Sequence, residues 1–381
     1  MAFDEYVTSN GERLRRGFTT GTCATLATKA AATLLLTGKA LAEVAVMTPA
    51  GIEVRVAVEA LEREGNAVRA TIIKDAGDDF DVTHGTRVCA VVSACPEQGV
   101  FIDGGIGVGR VTCPGLNQPV GNAAINSGPR AMITAAAEAV MEESDYLGGL
   151  SVVIEVPDGE EIGRKTFNPS LGIEGGISIL GTSGIVEPRS LKALQDALAV
   201  EIHFHAAAGH KRLIVTPGNY GEAFLKTMDL PAFIPIVSCA NFIGFTLDKA
   251  IEEGFEELLL VGHIGKLVKV AGAIMDTHSR TADCRREIFA AHAAAAGANQ
   301  QAILAMFDAM TTDACLDICQ EAGVRDEVIA RIASAIQAKI DHRVAENLKV
   351  GAVIFSNKTG LLATTPQANS LIEAWKTQEE Q

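Results

Sequence analysis

The chain has 381 residues, 48% of them hydrophobic and only 5% aromatic, a balance that favours a compact α/β protein with room for two cores over a disordered chain. Thirty-two basic residues against 47 acidic ones leave a formal charge of −15, which disfavours nucleic acid and anionic membrane surfaces as partners. The eight scattered cysteines suit a reducing compartment, residues 1–16 lack an apolar core, and the longest apolar-leaning run, residues 230–247, is broken by Pro231 and Pro235; a cytoplasmic location is expected.

Thr19 and Thr20 open an Ala/Leu-rich helix that runs to Leu36 and stops at Gly38. Strand-like segments follow at residues 43–47, 52–58, 68–74 and 87–93, several alternating apolar and polar side chains. Pro129 marks a helix start continued by residues 132–141, and residues 151–156 read as another strand. Strands outnumber helices, so residues 1–188 are expected to form an α+β domain with a mixed sheet. The glycine-rich stretch 168–188 ends at Pro188, where the domain junction is placed. Beyond it the pattern alternates: helix 190–207, strand 212–216, helix 220–228, strand 233–237, helix 242–253, strand 258–261, and a helix after His263. Several helices and a strand at 352–355 complete it. That rhythm signals parallel strands with crossover helices, so residues 189–381 are expected to form a Rossmann-like domain with a mainly parallel sheet.

Two turns in the second half sit where open α/β sheets bind ligands. Thr216, Pro217, Gly218, Asn219, Tyr220 and Gly221 follow one strand; Gly262, His263, Gly265 and Lys266 follow another. The latter is too short for a nucleotide triphosphate loop and has no Ser or Thr after the lysine, so what it offers is backbone N–H groups beside His263 and Lys266. Downstream lies a polar knot of Asp276, Thr277, His278, Ser279, Arg280, Asp283, Arg285 and Arg286, suited to an anionic, hydrogen-bonding ligand. In the first half, Arg15, Arg16, Thr19, Thr20, Thr22 and Cys23 form a basic, hydroxyl-rich approach to a helix start, readable as an anion site or as a capped helix with a solvated neck. Asp75, Asp78, Asp79 and Asp81 read either as a cation-binding loop or as a solvated acidic turn. Gly104, Gly105, Gly107 and Gly109 do not form a dinucleotide fingerprint, because the residues after them look extended; a glycine-lined loop edged by Asp103 remains. His203 and His205 point different ways on a helix and read as structural, while Cys315 and Cys319 lack the further Cys or His that would complete a zinc set.

The blocks LRRGFTTGTCATLATKAA, DAGDD, GIGVGRVTCPGL, TFNPSLGIEGGISILGTSGIVEP, TPGNYG and VGHIGKLVKVAGAIMDTHSRTAD, in that order over residues 14–295, resemble the cobalt-precorrin-5B (C1)-methyltransferase family. One departure is GNAAINSGPR at residues 121–130, where the family reads more like GEPAINPVPR. The resemblance implies methyl transfer from S-adenosylmethionine to C1 of a cobalt corrinoid, giving cobalt-precorrin-6A in anaerobic cobalamin biosynthesis, with cobalt arriving only inside the substrate and no metal held by the protein. It implies a corrinoid-contacting first domain and a donor-binding second one, with the donor in the crevice of the two turns. Arg16, Arg280 and Arg285 would meet the ring's carboxylates, with Thr19, Thr20, Thr22, Cys23, Asp75, Asp78, Asp103 and Ser279 as further substrate contacts. His278 or Asp283 would take any proton lost from the ring. Assembly as a homo-oligomer is left open. The competing readings are a non-catalytic corrinoid carrier, which needs no donor site, and a nicotinamide-dependent precorrin reductase, which needs a helix-opening glycine fingerprint.

Overall fold

The computed structural model describes residues 3–9, 11–218 and 220–377 and divides into two compact units, residues 1–191 and 192–381. Each unit combines a sheet with packed helices, so the protein is a mixed α/β chain.

In the first unit a five-stranded sheet has the order Ala60–Glu64, Ala67–Ile73, Arg87–Cys95, Gly149–Glu155, Gly99–Gly104. All its pairings are antiparallel except the last, so the sheet is mixed. The edge strand Ala60–Glu64 ends in exposed Glu and Arg residues, and that polarity hides its period in the sequence. Against the sheet lies the helix Thr20–Thr37, capped by Thr19 Oγ1 on Thr22 N and ended by Gly38 at φ 74°. Small side chains let this helix be buried almost all round, and Thr25 and Thr28 satisfy their hydroxyls on carbonyls four residues back.

The glycine run 104–109 serves packing. Gly107 and Val108 pair in parallel with Gly176 and Ile177, while a Cβ on Gly107 (φ 69°) would collide with the Val156 carbonyl. A Cβ on Gly176 would likewise strike Gly107, so three backbone segments approach more closely than side chains allow. These contacts account for the run without a ligand, and its residues are extended, as expected.

In the second unit the sheet order is Ile236–Ser238, Arg212–Thr216, Glu257–His263, Lys349–Ser356, Gly360–Thr364. The first four strands are parallel and the last is antiparallel. Successive residues of the central strand face opposite cores: Leu258 and Leu260 on one side, Leu259 and Val261 on the other. Burial of both faces is why such strands read as unbroken apolar runs. One core is covered by the helices Leu191–Ala207, Ile243–Glu252, Ile264–Ala271, Arg285–Ala295 and Arg325–Val344. The other lies under the short helix Tyr220–Leu225 and the C-terminal helix Pro366–Thr377, whose Trp375 is fully buried. Several expected bounds shift, two of them for a visible reason. The helix from Tyr220 ends at Leu225, where Thr227 turns back onto the Phe224 carbonyl, and the strand expected at 233–237 is only Ile236–Ser238, because Pro235 has no N–H to donate to the ladder. Among the described residues no helix is long and apolar enough to cross a membrane.

Candidate functional site

The chain leaves strand Arg212–Thr216 toward one edge of the sheet and strand Glu257–His263 toward the other, yet the two strands are neighbours. Ligands of open α/β sheets lie at such reversals, beyond the carboxyl ends of the strands. Both sequence-predicted turns are there, and they touch. A Cβ on Gly262 would come within 2.9 Å of Pro217 Cγ, and one on Gly218 (φ 88°) within 2.9 Å of Lys266 Nζ. Gly221 packs so closely on Thr216 that a Cβ there would lie 2.5 Å from the Thr216 Cβ. Asn219 lies outside the described residues.

His263 caps the helix Ile264–Ala271 with its side chain: Nδ1 accepts from Gly265 N at 3.0 Å. The neutral imidazole therefore carries its proton on Nε2. Burial lowers its pKa, with Asp313 opposing, so the ring is predominantly neutral at pH 7. Lys266 donates to the Ala240 carbonyl at 2.9 Å, holding a residue at φ 49°, and burial lowers its pKa also. Beneath them Thr216 Oγ1 is buried and has no hydrogen-bond partner among the described residues. Aromatic rings extend the crevice sideways. Tyr220 stands 6.1 Å from the His263 ring, His263 meets Phe355 edge-on at 5.7 Å, and Phe355 stacks on Phe224 at 4.2 Å. Beyond Tyr220 a cleft of about 650 Å³ opens between the helix Tyr220–Leu225, residues 355–361 and the C-terminal helix. Sequence reading missed this cleft, although the strand noted at 352–355 carries Ser356 and Asn357 at its carboxyl end, where the same rule applies.

The polar knot is a loop organised from within. Asp276 accepts from His278 N and Thr281 Oγ1, both at 3.1 Å, and His278 Nδ1 accepts from Arg280 N at 3.1 Å. From the core side Lys269, its side chain 3% exposed, donates to the carbonyls of Thr277 at 3.1 Å and Ala282 at 2.8 Å. Lys269 too was missed, because it sits in the apolar pattern LVKVA. Ser279 and Arg280 face solvent, and the Arg280 guanidinium has no hydrogen bond or ion pair among the described residues. Arg285 is committed differently: its Nε and Nη2 clasp Asp283 at 2.5 and 2.9 Å. That pair holds the Asp283 carboxyl down to about 2, with its oxygens already accepting from Arg285. Arg285, being paired, is likewise a poorer anion donor than Arg280.

In the first unit most of the expected contacts are spent internally. Thr20, Thr22 and Cys23 are buried. Gly21 N donates to the Leu180 carbonyl, Thr20 Oγ1 accepts from Leu180 N at 2.9 Å, and Thr22 Oγ1 donates to the Gly184 carbonyl at 2.7 Å. The helix start is thus zipped to residues 180–184, which take up these hydroxyls and the Gly21 N–H. Burial pushes the Cys23 thiol up to about 12, so it is also no nucleophile. The carboxylates of the acidic loop are largely tied to basic side chains and backbone N–H groups of the same unit. Asp75 pairs with Arg15 at 2.5 and 2.8 Å, Asp78 accepts Arg15 N at 2.6 Å, and Asp81 accepts the buried Lys74 at 2.6 Å. Among the described residues no cluster of His, Cys, Asp or Glu could hold a metal ion. Asp103 is paired with Arg110 at 2.8 Å. Arg16 and Thr19 are half-buried at this helix start; Arg16 reaches Glu187 at 2.9 Å, and its Nε is buried without a partner.

Residues 7–188 match the family described as CbiD, and residues 276–366 match the family described as CbiD, C-terminal domain. A cobalt-precorrin-5B C(1)-methyltransferase of Alkaliphilus metalliredigens is 44% identical, the alignment covering 98% of this chain and 98% of that protein. One from Ruminiclostridium cellulolyticum is 46% identical over 93% of this chain and 92% of its own. A crystal structure of a cobalamin biosynthesis protein (cbiD) from Archaeoglobus fulgidus is 32% identical, covers 72% of this chain and 86% of its own, and superposes with a TM-score of 0.39. The chain belongs to the CbiD family.

Proposed function

We propose that this chain is a cobalt-precorrin-5B C(1)-methyltransferase of anaerobic cobalamin biosynthesis, acting in the cytoplasm and using S-adenosylmethionine to form cobalt-precorrin-6A. The observation that carries the reading is its 44% identity to a protein of that name along nearly the whole of both chains. The crevice at the sheet reversal supports it from the physical side. We read the second unit as Rossmann-like, its strand order matching doubly wound folds that place a ligand between the first and third strands.

When bound, S-adenosylmethionine supplies an electrophilic methyl group on a sulfonium. The chain's task is then to align that group with C1 and to keep water away, an effect worth about 7–11 kcal/mol in well-oriented reactions. In this reading the turns 216–221 and 262–266 hold the donor, and Thr216 Oγ1 is a buried hydroxyl able to meet it. His263, predominantly neutral and fixed in one tautomer, presents no opposing charge to a sulfonium. Arg280 and Arg16 meet ring carboxylates, and His278 takes a proton from the ring where one is lost. We assign the corrinoid chiefly to residues 1–188 and the donor to residues 189–381.

The test is to incubate the purified protein with cobalt-precorrin-5B and donor labelled in the methyl group. The expected product carries one added methyl and the label; an unchanged ring after many equivalents of enzyme refutes the assignment.

A further inference from the structure

We propose that the cleft beside Tyr220 is the adenosine pocket of the methyl donor, an inference that rests on the donor reading above and locates one end of it. Three observations converge. The cleft begins at Tyr220, a residue of the turn 216–221 whose ring stands 6.1 Å from that of His263, so it adjoins the sheet reversal. Its volume of about 650 Å³ falls in the ~300–1,000 Å³ range of small-molecule sites and exceeds what a nucleoside fills. Its walls have the right chemistry: Phe224, backed by the buried Phe355 ring on which it stacks, with Leu361 and Ile372, gives flat and aliphatic surface for a purine, whose π-face stacks on aromatic rings for about 1–3 kcal/mol. At the rim the Asp229 carboxylate, 3.0 Å from Lys376 Nζ and otherwise open to solvent, is an acceptor for the ribose hydroxyls. A corrinoid ring with its fringe of carboxylates fits this site poorly, because the rim carries an acid and one lysine already paired to it.

With the purine in the cleft, the remainder of the donor points back past Tyr220 toward His263 and Thr216. The pocket therefore sets which end of the donor enters the reversal crevice.

The proposal is tested by calorimetric titration with S-adenosylhomocysteine and, separately, with adenosine. Leu361→Trp fills the cleft from an exposed position on the edge strand and should weaken both ligands at least tenfold. Asp229→Asn, at a side chain 95% exposed, leaves the fold alone and should weaken both about three- to tenfold. The Asp229→Asn result stands by itself if the bulkier variant loses its melting transition. Wild-type affinity in the folded variants overturns the pocket while leaving the methyl donor in place elsewhere. Failure of the unaltered protein to bind S-adenosylhomocysteine, with and without the corrinoid, overturns the donor reading and the pocket together.

Discussion

Replacing Lys269 by Met should unfasten the loop that carries His278 and Arg280 while leaving the second core closed. The Lys269 ammonium is the internal fastener of that loop: it donates to the carbonyls of Thr277 and Ala282 and lies 4.0 Å from Asp283 Oδ1. Hydrogen bonds to a charged partner contribute about 1.5–3 kcal/mol each, so two of them supply roughly 3–6 kcal/mol in the first instance. Part of that is offset by the burial of the ammonium, which lowers the lysine's pKa. Met restores the apolar volume, and the half-buried Ala282 carbonyl can turn to water, leaving a net loss of about 2–3 kcal/mol in loop ordering. A change of that size multiplies the population of the opened loop about 30- to 150-fold. Hydrogen–deuterium exchange should accelerate by that factor at residues 277–283 and far less in the central strand Glu257–His263. If the closed loop is the competent one, kcat/KM for methyl transfer falls with it, by about tenfold or more, according to how fully the loop was ordered at the start. Unchanged exchange at residues 277–283 would refute the reasoning, whatever happened to the rate.

The remaining predictions concern the two cores. Burial, reinforced by Glu222, raises the Glu201 carboxyl to about 7 from its ordinary 4.5. The folded state then holds a proton that the unfolded chain has lost, so stability falls as pH rises from about 4.5 through about 7. Glu201→Gln should therefore stabilise the protein at pH 8, by about 1–2 kcal/mol once partial exposure is discounted, and not at pH 4.5. Scanning calorimetry at both pH values checks this; an equal melting temperature for variant and parent at pH 8 contradicts it. Gly107→Ala should cost about 3–5 kcal/mol, from a left-handed backbone and a Cβ forced against the Val156 carbonyl. A urea midpoint equal to that of the parent would show that the segments do not cross as closely as described.

The local rules of the chain were enough for its elements. Strands 43–47 and 212–216 have the expected bounds, and the helix behind Thr19 stops at Gly38 as its residues require, because a period, a cap and a left-handed glycine are properties of neighbours in sequence. The two ligand turns were legible for the same reason: each is a strand end followed by a helix start. That they adjoin is tertiary, set by a sheet order that places strand 212–216 beside 257–263 rather than between its neighbours in the chain. Several polar and glycine-rich segments are instead engaged by distant parts of the same chain. Thr20 and Thr22 meet partners more than 150 residues away, Asp75 is neutralised by an arginine 60 residues before it, and the glycines at 104–109 are matched by one at 176. A polar or glycine-rich motif shows what a segment is able to bind, but only the folded chain decides whether a ligand or another stretch of the same chain takes that place.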